Sequence, residues 1–275
     1  MIAGDEAFTD TQTITGVTLS NAEAFHLHLE KRYYWKVIAR SSGTTHESEV
    51  CTFMTNPATP RWIRVHGATN IRDIGGWAID GGGEVRQAMM YRGPELNNTL
   101  RVASRDLRFI EEKLGIRPDL DLRGHAESAG PAMDENKVDC VIVPIHPYAA
   151  CTDDDLAELY QKIFSMLADP ARYPIYCHCL GGADRAGAVT FLVNGLLGVS
   201  TNDLIVDFEL TSLSVWGERS AASNDFIGLL RALSNFGPVD GTTACDAVEN
   251  YLLHIGVSTQ PIASIHEILT DTHTG

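Results

Sequence analysis

The sequence predicts an α/β fold: a mostly parallel central sheet flanked by helices, a helical C-terminal part, and a small all-β appendage at the N-terminus. Three observations lead there. From about residue 62, short β-branched runs alternate with segments whose apolar residues recur at helical spacing, the pattern of a parallel sheet covered by helices. Beyond 199 only the helical period remains. Before 56 only the strand period is found.

The elements follow in chain order. Residues 24–30, AFHLHLE, alternate apolar and polar; 32–41, RYYWKVIARS, are aromatic and β-branched; 47–55, ESEVCTFMT, alternate again, so residues 1–56 are read as one small β appendage. The segment 56–61, NPATPR, reads as a linker into a second domain at 62–275. There, 104–115, SRDLRFIEEKLG, reads as a helix ending on glycine, 116–124 as a strand despite Pro118, and 138–147, VDCVIVPIHP, as a second strand. Residues 152–169 open with three acids suited to a helix N-terminus and continue as an amphipathic helix. Residues 173–178, YPIYCH, read as a strand. A glycine-rich loop follows, and then an apolar helix ends at Gly198. Four helices complete the chain.

Bulk composition narrows the class. The chain has 275 residues, 44% hydrophobic and 21% charged, which suits one large domain plus a small one. A net charge of −15 argues against nucleic acid or an anionic membrane as partner, because both require a basic surface. A small anionic substrate needs only a locally positive pocket. No signal peptide is visible in the first residues and no apolar run approaches the ~18 residues of a spanning helix. The expectation is therefore a cytoplasmic protein without a membrane span. Six cysteines in a chain of this size read as buried or reactive thiols rather than a disulfide framework.

The chemistry concentrates at 178–185, HCLGGADR. Cys179 stands where a strand ends, the edge at which ligands bind in open α/β sheets. The loop Leu180, Gly181, Gly182, Ala183, Asp184 and Arg185 can turn successive backbone N–H groups toward one anion, the two glycines leaving its approach clear. The following helix adds its positive end. The same field favours Cys179 as a thiolate. Arg185 adds a planar fork for two phosphate oxygens. These parts fit attack of the thiolate on phosphorus, with loop and arginine holding the charge that develops. Cys177 and His178 do not combine with Cys179 into a metal site, since alternation sends His178 to the other face; no metal or cofactor is expected.

Cysteine, five residues, arginine, preceded by histidine, resembles the signature of the cysteine-dependent protein tyrosine phosphatases. GATNIRDIGGW (67–77), MMYRGPEL (89–96), LDLRGHAE (120–127) and VENYLLHIGVS (248–258) resemble, in order, the conserved stretches of the bacterial tyrosine phosphatase family that includes mycobacterial and listerial secreted enzymes. The strands at 32–55 resemble the last two of a fibronectin type III module, here partial. The resemblance implies a phosphocysteine intermediate on Cys179, phosphate binding by 180–185 and Arg185, and proton transfer by Asp184. It implies phosphorylated protein or a small phosphoester, inositol phosphates included, as substrate. Because the relatives are secreted, it leaves that location open beside the cytoplasm. Asp153, Asp154 and Asp155 are the alternative acids, against a plain helix-capping role. Arg72, Asp73, Arg92, Asp121 and Arg123 fall in the matching stretches and are read as an ion-pair scaffold around the loop. Two positions depart from the family: Ala186 replaces a hydroxyl residue that would steady the thiolate, and Ala183 replaces a lysine that would reach further phosphates. A weakly active phospho-residue binding module is the reading that Ala186 keeps open.

Overall fold

The structure, a computed structural model, describes residues 1–17, 21–151 and 153–272. The β appendage (1–56) and the phosphatase-like span (62–275) therefore extend over positions 18–20, Thr152 and 273–275 that lie outside the described residues. So does the first residue of the helix expected at 152–169. The chain divides into two compact units, residues 1–61 and 62–275.

The first unit is built from β1 (Ile2–Ala3), β2 (Thr11–Gln12), β3 (Arg32–Trp35), β4 (Ile38–Ser41), β5 (Thr44–Glu47) and β6 (Cys51–Met54). They form an antiparallel sheet in the order β2-β1-β3-β6 and a separate β4-β5 hairpin. The run 32–41 is thus two strands in two sheets, and Ser42 and Gly43, both at positive φ, make the tight hairpin turn. Residues 24–30 form no strand. His26 and Glu30 take left-handed backbone conformations, and side chains occupy the groups a ladder would use. Arg61 donates to the carbonyls of His26 (2.8 Å) and Leu27 (3.1 Å), Thr55 to that of His28 (2.6 Å), and the His28 N–H donates to Tyr33 Oη. The 56–61 segment is therefore anchored to the first unit through Arg61 rather than loose.

The second unit contains β7 (Arg72–Asp73), β8 (Glu84–Val85), β9 (Met90–Gly93), α1 (Ser104–Glu112), β10 (Pro118–Asp121), β11 (Asp139–Ile142), α2 (Ala157–Leu167), β12 (Ile175–His178), α3 (Asp184–Leu196), α4 (Thr201–Glu209), α5 (Asn224–Leu233), α6 (Cys245–His254), α7 (Thr259–Leu269) and β13 (Thr270–Asp271). The central sheet runs β11-β10-β12-β9-β7, parallel except for β7. Pro118 is tolerated because it is the first residue of its strand. The C-terminal tail is not purely helical: β13 pairs antiparallel with β8.

Alternation along β12 divides the interior. Ile175, Cys177 and Cys179 face one core, shared with α2, α3, α6 and α7; Tyr176 faces the other, shared with α1. Helix α3 is buried at every position from Ala186 to Leu196, which explains its lack of a polar face. It packs on β9 and β12 and against α4 and α6. That burial fixes the N-terminus of α3 just beyond the C-terminal end of β12. Among the described residues, no helix is long and apolar enough to cross a membrane.

Candidate active site

The loop from Cys179 to Ala183 joins β12 to α3, and its conformation is set from outside. The carbonyl of Leu180 accepts the Glu95 N–H (3.2 Å), and that of Gly181 accepts Asn70 Nδ2 (2.9 Å). Arg92 Nη2 donates to the carbonyls of Gly182 (2.8 Å) and Ala183 (2.9 Å). In a trans peptide the next residue's N–H points opposite the carbonyl. Four carbonyls tied outward therefore turn the N–H groups of Gly181, Gly182, Ala183 and Asp184 the other way, into one concavity at the start of a helix. Gly182 sits at φ +65°, and a Cβ there would lie 2.3 Å from the Gly93 carbonyl carbon, so only glycine fits.

Those outer donors are themselves held. Asp207 of α4 accepts Arg72 Nε (2.7 Å) on one carboxylate oxygen and Arg92 Nη1 (2.5 Å) on the other, while its carbonyl accepts Arg72 Nη2 (2.8 Å). Arg72 also donates to Asn70 Oδ1 (2.5 Å). Asp73 accepts the N–H groups of Gly75 and Ala88. Burial and the like charge of Arg92 push Arg72 down to about 10 against the pull of Asp207, which leaves it protonated at neutral pH. Just beyond the end of β10, Arg123 donates to both oxygens of Asp121 (2.8 and 2.9 Å) and to Glu95. Of the five scaffold residues expected from sequence, Arg72, Arg92, Asp121 and Arg123 are ion-paired, whereas the contacts of Asp73 given above are to backbone N–H groups.

Cys179 is 3% exposed and opens onto a cavity of about 380 Å³. Leu180, Gly181, Ala183, Asp184 and Arg185 line it with Glu127, the 144–147 segment, Trp216 and Arg219. Gly182 shapes the turn from behind. Arg185 Nη1 donates to Glu127 Oε2 at 2.6 Å. Both oxygens of Asp184 are taken by Arg219 (Nε 2.7 Å, Nη2 2.9 Å), and Tyr148 Oη donates to the first at 2.5 Å. Burial pushes the Asp184 carboxyl up, but the bonds from Arg219 and Tyr148 and the charges of Arg219 and Arg92 outweigh it and hold it below the ordinary value.

His178 lies on the opposite face from both cysteines. Its ring stacks on Tyr176, Nδ1 is 3.3 Å from the Cys179 carbonyl, and Nε2 is 3.0 Å from Asp119 Oδ1. The second contact is an ion pair without good hydrogen-bond alignment, since Asp119 Oδ1 has no well-placed donor. Burial lowers the His178 pKa; the charge of Asp119, with Asp121 behind it, raises it to about 9. The imidazolium thus braces the nucleophile's backbone. Asp153 and Asp155 are exposed and do not line the cavity, and Asp153 accepts the Asp155 N–H at 3.0 Å, a local capping arrangement. Among the described residues no group of three His, Cys, Asp or Glu could hold a metal ion.

The sequence reading missed Asn70, Glu95, Tyr148, Asp207, Trp216 and Arg219. Asp207 left a legible trace: it shares the buried stripe of α4 with Thr201, Leu204 and Phe208, where a lone acid requires a cation.

The family model described as Tyrosine phosphatase family matches residues 63–271. A Cupriavidus necator protein described as a putative tyrosine-protein phosphatase is 24% identical over 165 residues, 51% of this chain and 59% of the relative, so the chain spans a little over half that protein's length. Two solved structures are similar at low level. The core catalytic domain of the S. cerevisiae PP-IP phosphatase SIW14 is 17% identical, TM-score 0.36, over 51% of this chain and 78% of that one. The Orf virus tyrosine phosphatase OH1 is 13% identical, TM-score 0.25, over 64% and 86%. The family match spans β7 to β13 and contains Cys179, its loop and Arg185, and the chain belongs to the tyrosine phosphatase family.

Proposed function

We propose that this chain is a cysteine-dependent phosphomonoesterase that dephosphorylates tyrosine in proteins. The observation that carries the reading is the set of four outward-tied carbonyls, which aims four N–H groups at the cavity onto which Cys179 opens. Such preorganised donors act on the charge that spreads over the equatorial oxygens during transfer. Arg185 leaves Glu127 for the phosphate and grips two of its oxygens. Cys179 Sγ attacks phosphorus, the S–P bond forms, and the P–O bond to the leaving group breaks. Water then cleaves the phosphocysteine, with Asp184 handling the proton.

Trp216 packs on Gly181 at one wall of the cavity, with Pro144, Ile145 and Pro147 in the same lining. Apolar walls of this kind suit the ring of phosphotyrosine. Ala183 offers no charge to a second phosphate, which favours a singly phosphorylated substrate over inositol polyphosphates. The strands of the first unit support reading residues 1–56 as a small β appendage to the phosphatase-like domain of 62–275. The test is a panel of phosphotyrosine peptide, phosphoserine peptide and inositol phosphates. The highest kcat/KM should fall on the phosphotyrosine peptide. Turnover of none of them would make the chain a binding module, and preference for an inositol phosphate would overturn the substrate class.

A further inference from the structure

Asp184 is placed to move a proton, yet the structure commits it to one form. Arg219 engages both of its oxygens, and Tyr148 Oη donates to one of them. Arg219 is not free to swing away. Its Nη1 donates to the carbonyls of Trp216 (3.2 Å) and Glu218 (3.0 Å), and its N–H donates to Ser212 Oγ at 2.8 Å, so the guanidinium is built into the 212–219 turn. Of the charged groups around Asp184, Arg219 and Arg92 favour its carboxylate, Arg185 and Cys179 share its cavity, and Asp225 acts on Tyr148. An acid must carry a proton before the leaving group departs; a base must lack one before water attacks.

We infer that Arg219 is a positioning residue that holds Asp184 as a carboxylate, so that Asp184 serves as base in the second step and the first step is confined to substrates whose leaving group departs as an anion. In the first step the P–O electron pair stays with the leaving oxygen, which a phenol (pKa about 10) tolerates and an aliphatic alcohol, a far weaker acid, does not. In the second step water's oxygen bonds to phosphorus, the S–P pair returns to sulfur, and water's proton goes to Asp184. Arg219 thus selects aryl over alkyl phosphates by leaving-group chemistry, independently of pocket shape. The inference rests on Cys179 as nucleophile.

The experiment compares 4-nitrophenyl phosphate, phenyl phosphate and benzyl phosphate with full-length wild type, Arg219→Gln and Arg219→Lys across pH. In wild type kcat/KM should fall steeply as the leaving group worsens. Removing the Arg219 charge leaves only the Tyr148 bond and the Arg92 charge against the burial that raises the Asp184 carboxyl, so Arg219→Gln should keep it protonated to higher pH than wild type. Its basic limb for benzyl phosphate should move upward, and its benzyl-to-nitrophenyl ratio should rise about tenfold or more, part of the 10²–10⁴ that a working acid supplies. Arg219→Lys should restore the steep dependence, and Tyr148→Phe should shift it in the same direction as Arg219→Gln by less. An unchanged leaving-group slope, or a loss equal for every substrate, would overturn the inference and leave Arg219 as a staple of the 212–219 turn. Hydrolysis surviving in Cys179→Ser would instead overturn the parent reading, so the two failures are distinguishable.

Discussion

Asp207→Asn removes one negative charge from beneath two buried arginines. Arg72 and Arg92 are 0% and 1% exposed, and Asp207 is the carboxylate they share, at 2.7 and 2.5 Å. The asparagine keeps the shape and one acceptor but leaves two neighbouring cations out of water with no countercharge at that point. Breaking a buried pair from one side costs about 3–5 kcal/mol. The position of Arg72, already pushed down to about 10 by burial and Arg92, shows how closely the cluster depends on Asp207. In urea the slope for small proteins is about 1–3 kcal/mol per molar and grows with size; at about 3 for a chain this large, the unfolding midpoint should fall by roughly 1–2 M. Turnover at low temperature should fall as well, because Arg92 ties the carbonyls of Gly182 and Ala183. Far-UV circular dichroism in urea and an aryl phosphate assay on the same protein measure both effects. A midpoint within 0.3 M of wild type, taken as roughly under 1 kcal/mol, together with undiminished turnover would refute the idea that Asp207 holds the loop in place.

Arg185→Lys keeps the charge but loses the two-pronged grip, so kcat should drop far more than apparent affinity; equal kinetics would make Arg185 structural. Ala186 is fully buried in the same core as Cys179 and carries no hydroxyl that could serve the departing sulfur. Wild type should therefore show a burst of phenol followed by slow turnover. Ala186→Ser should raise the steady rate by about 1 kcal/mol, near fivefold, the worth of one hydrogen bond; rapid quench showing no burst and no gain would refute this. The His178–Asp119 pair sets a pH dependence of stability. Because the folded His178 value is raised from 6.5 to about 9, its contribution is complete below pH 6.5 and lost as pH rises to about 9. The shift corresponds to on the order of 3 kcal/mol. Urea midpoints taken between pH 6 and 9.5 should fall more in wild type than in His178→Gln, and parallel curves would contradict the assignment.

Much of the second unit was legible because its elements are long or strongly patterned. The alternation of β12 placed Cys177 and Cys179 on one face and His178 on the other, as the structure shows, and the apolar helix after Arg185 is α3. The first unit was less legible. Residues 24–30 alternate like a strand, but Arg61, Thr55 and Tyr33 supply their hydrogen bonds from elsewhere in the sequence, and such partners leave no local pattern. Thr270–Asp271 is a strand only because Glu84–Val85 lies alongside it. In the site, the residues on the signature itself were visible, whereas the groups that decide their chemistry were not. Arg219 meets Asp184 across 35 positions and Asn70 meets Gly181 across 111. The trace left by Asp207, an acid on a buried stripe, shows that some distant partners do announce themselves through burial.

The central claim is that Cys179 becomes covalently phosphorylated. Wild-type protein mixed with an aryl phosphate and quenched in acid within the burst should carry one phosphoryl group, and peptide mass spectrometry should locate it on Cys179. Cys179→Ser should carry none at the same time point while still binding inorganic phosphate. Label on any other residue, or hydrolysis by wild type with no phosphorylated protein even in the Asp184→Asn variant, where the second step should stall, would contradict it.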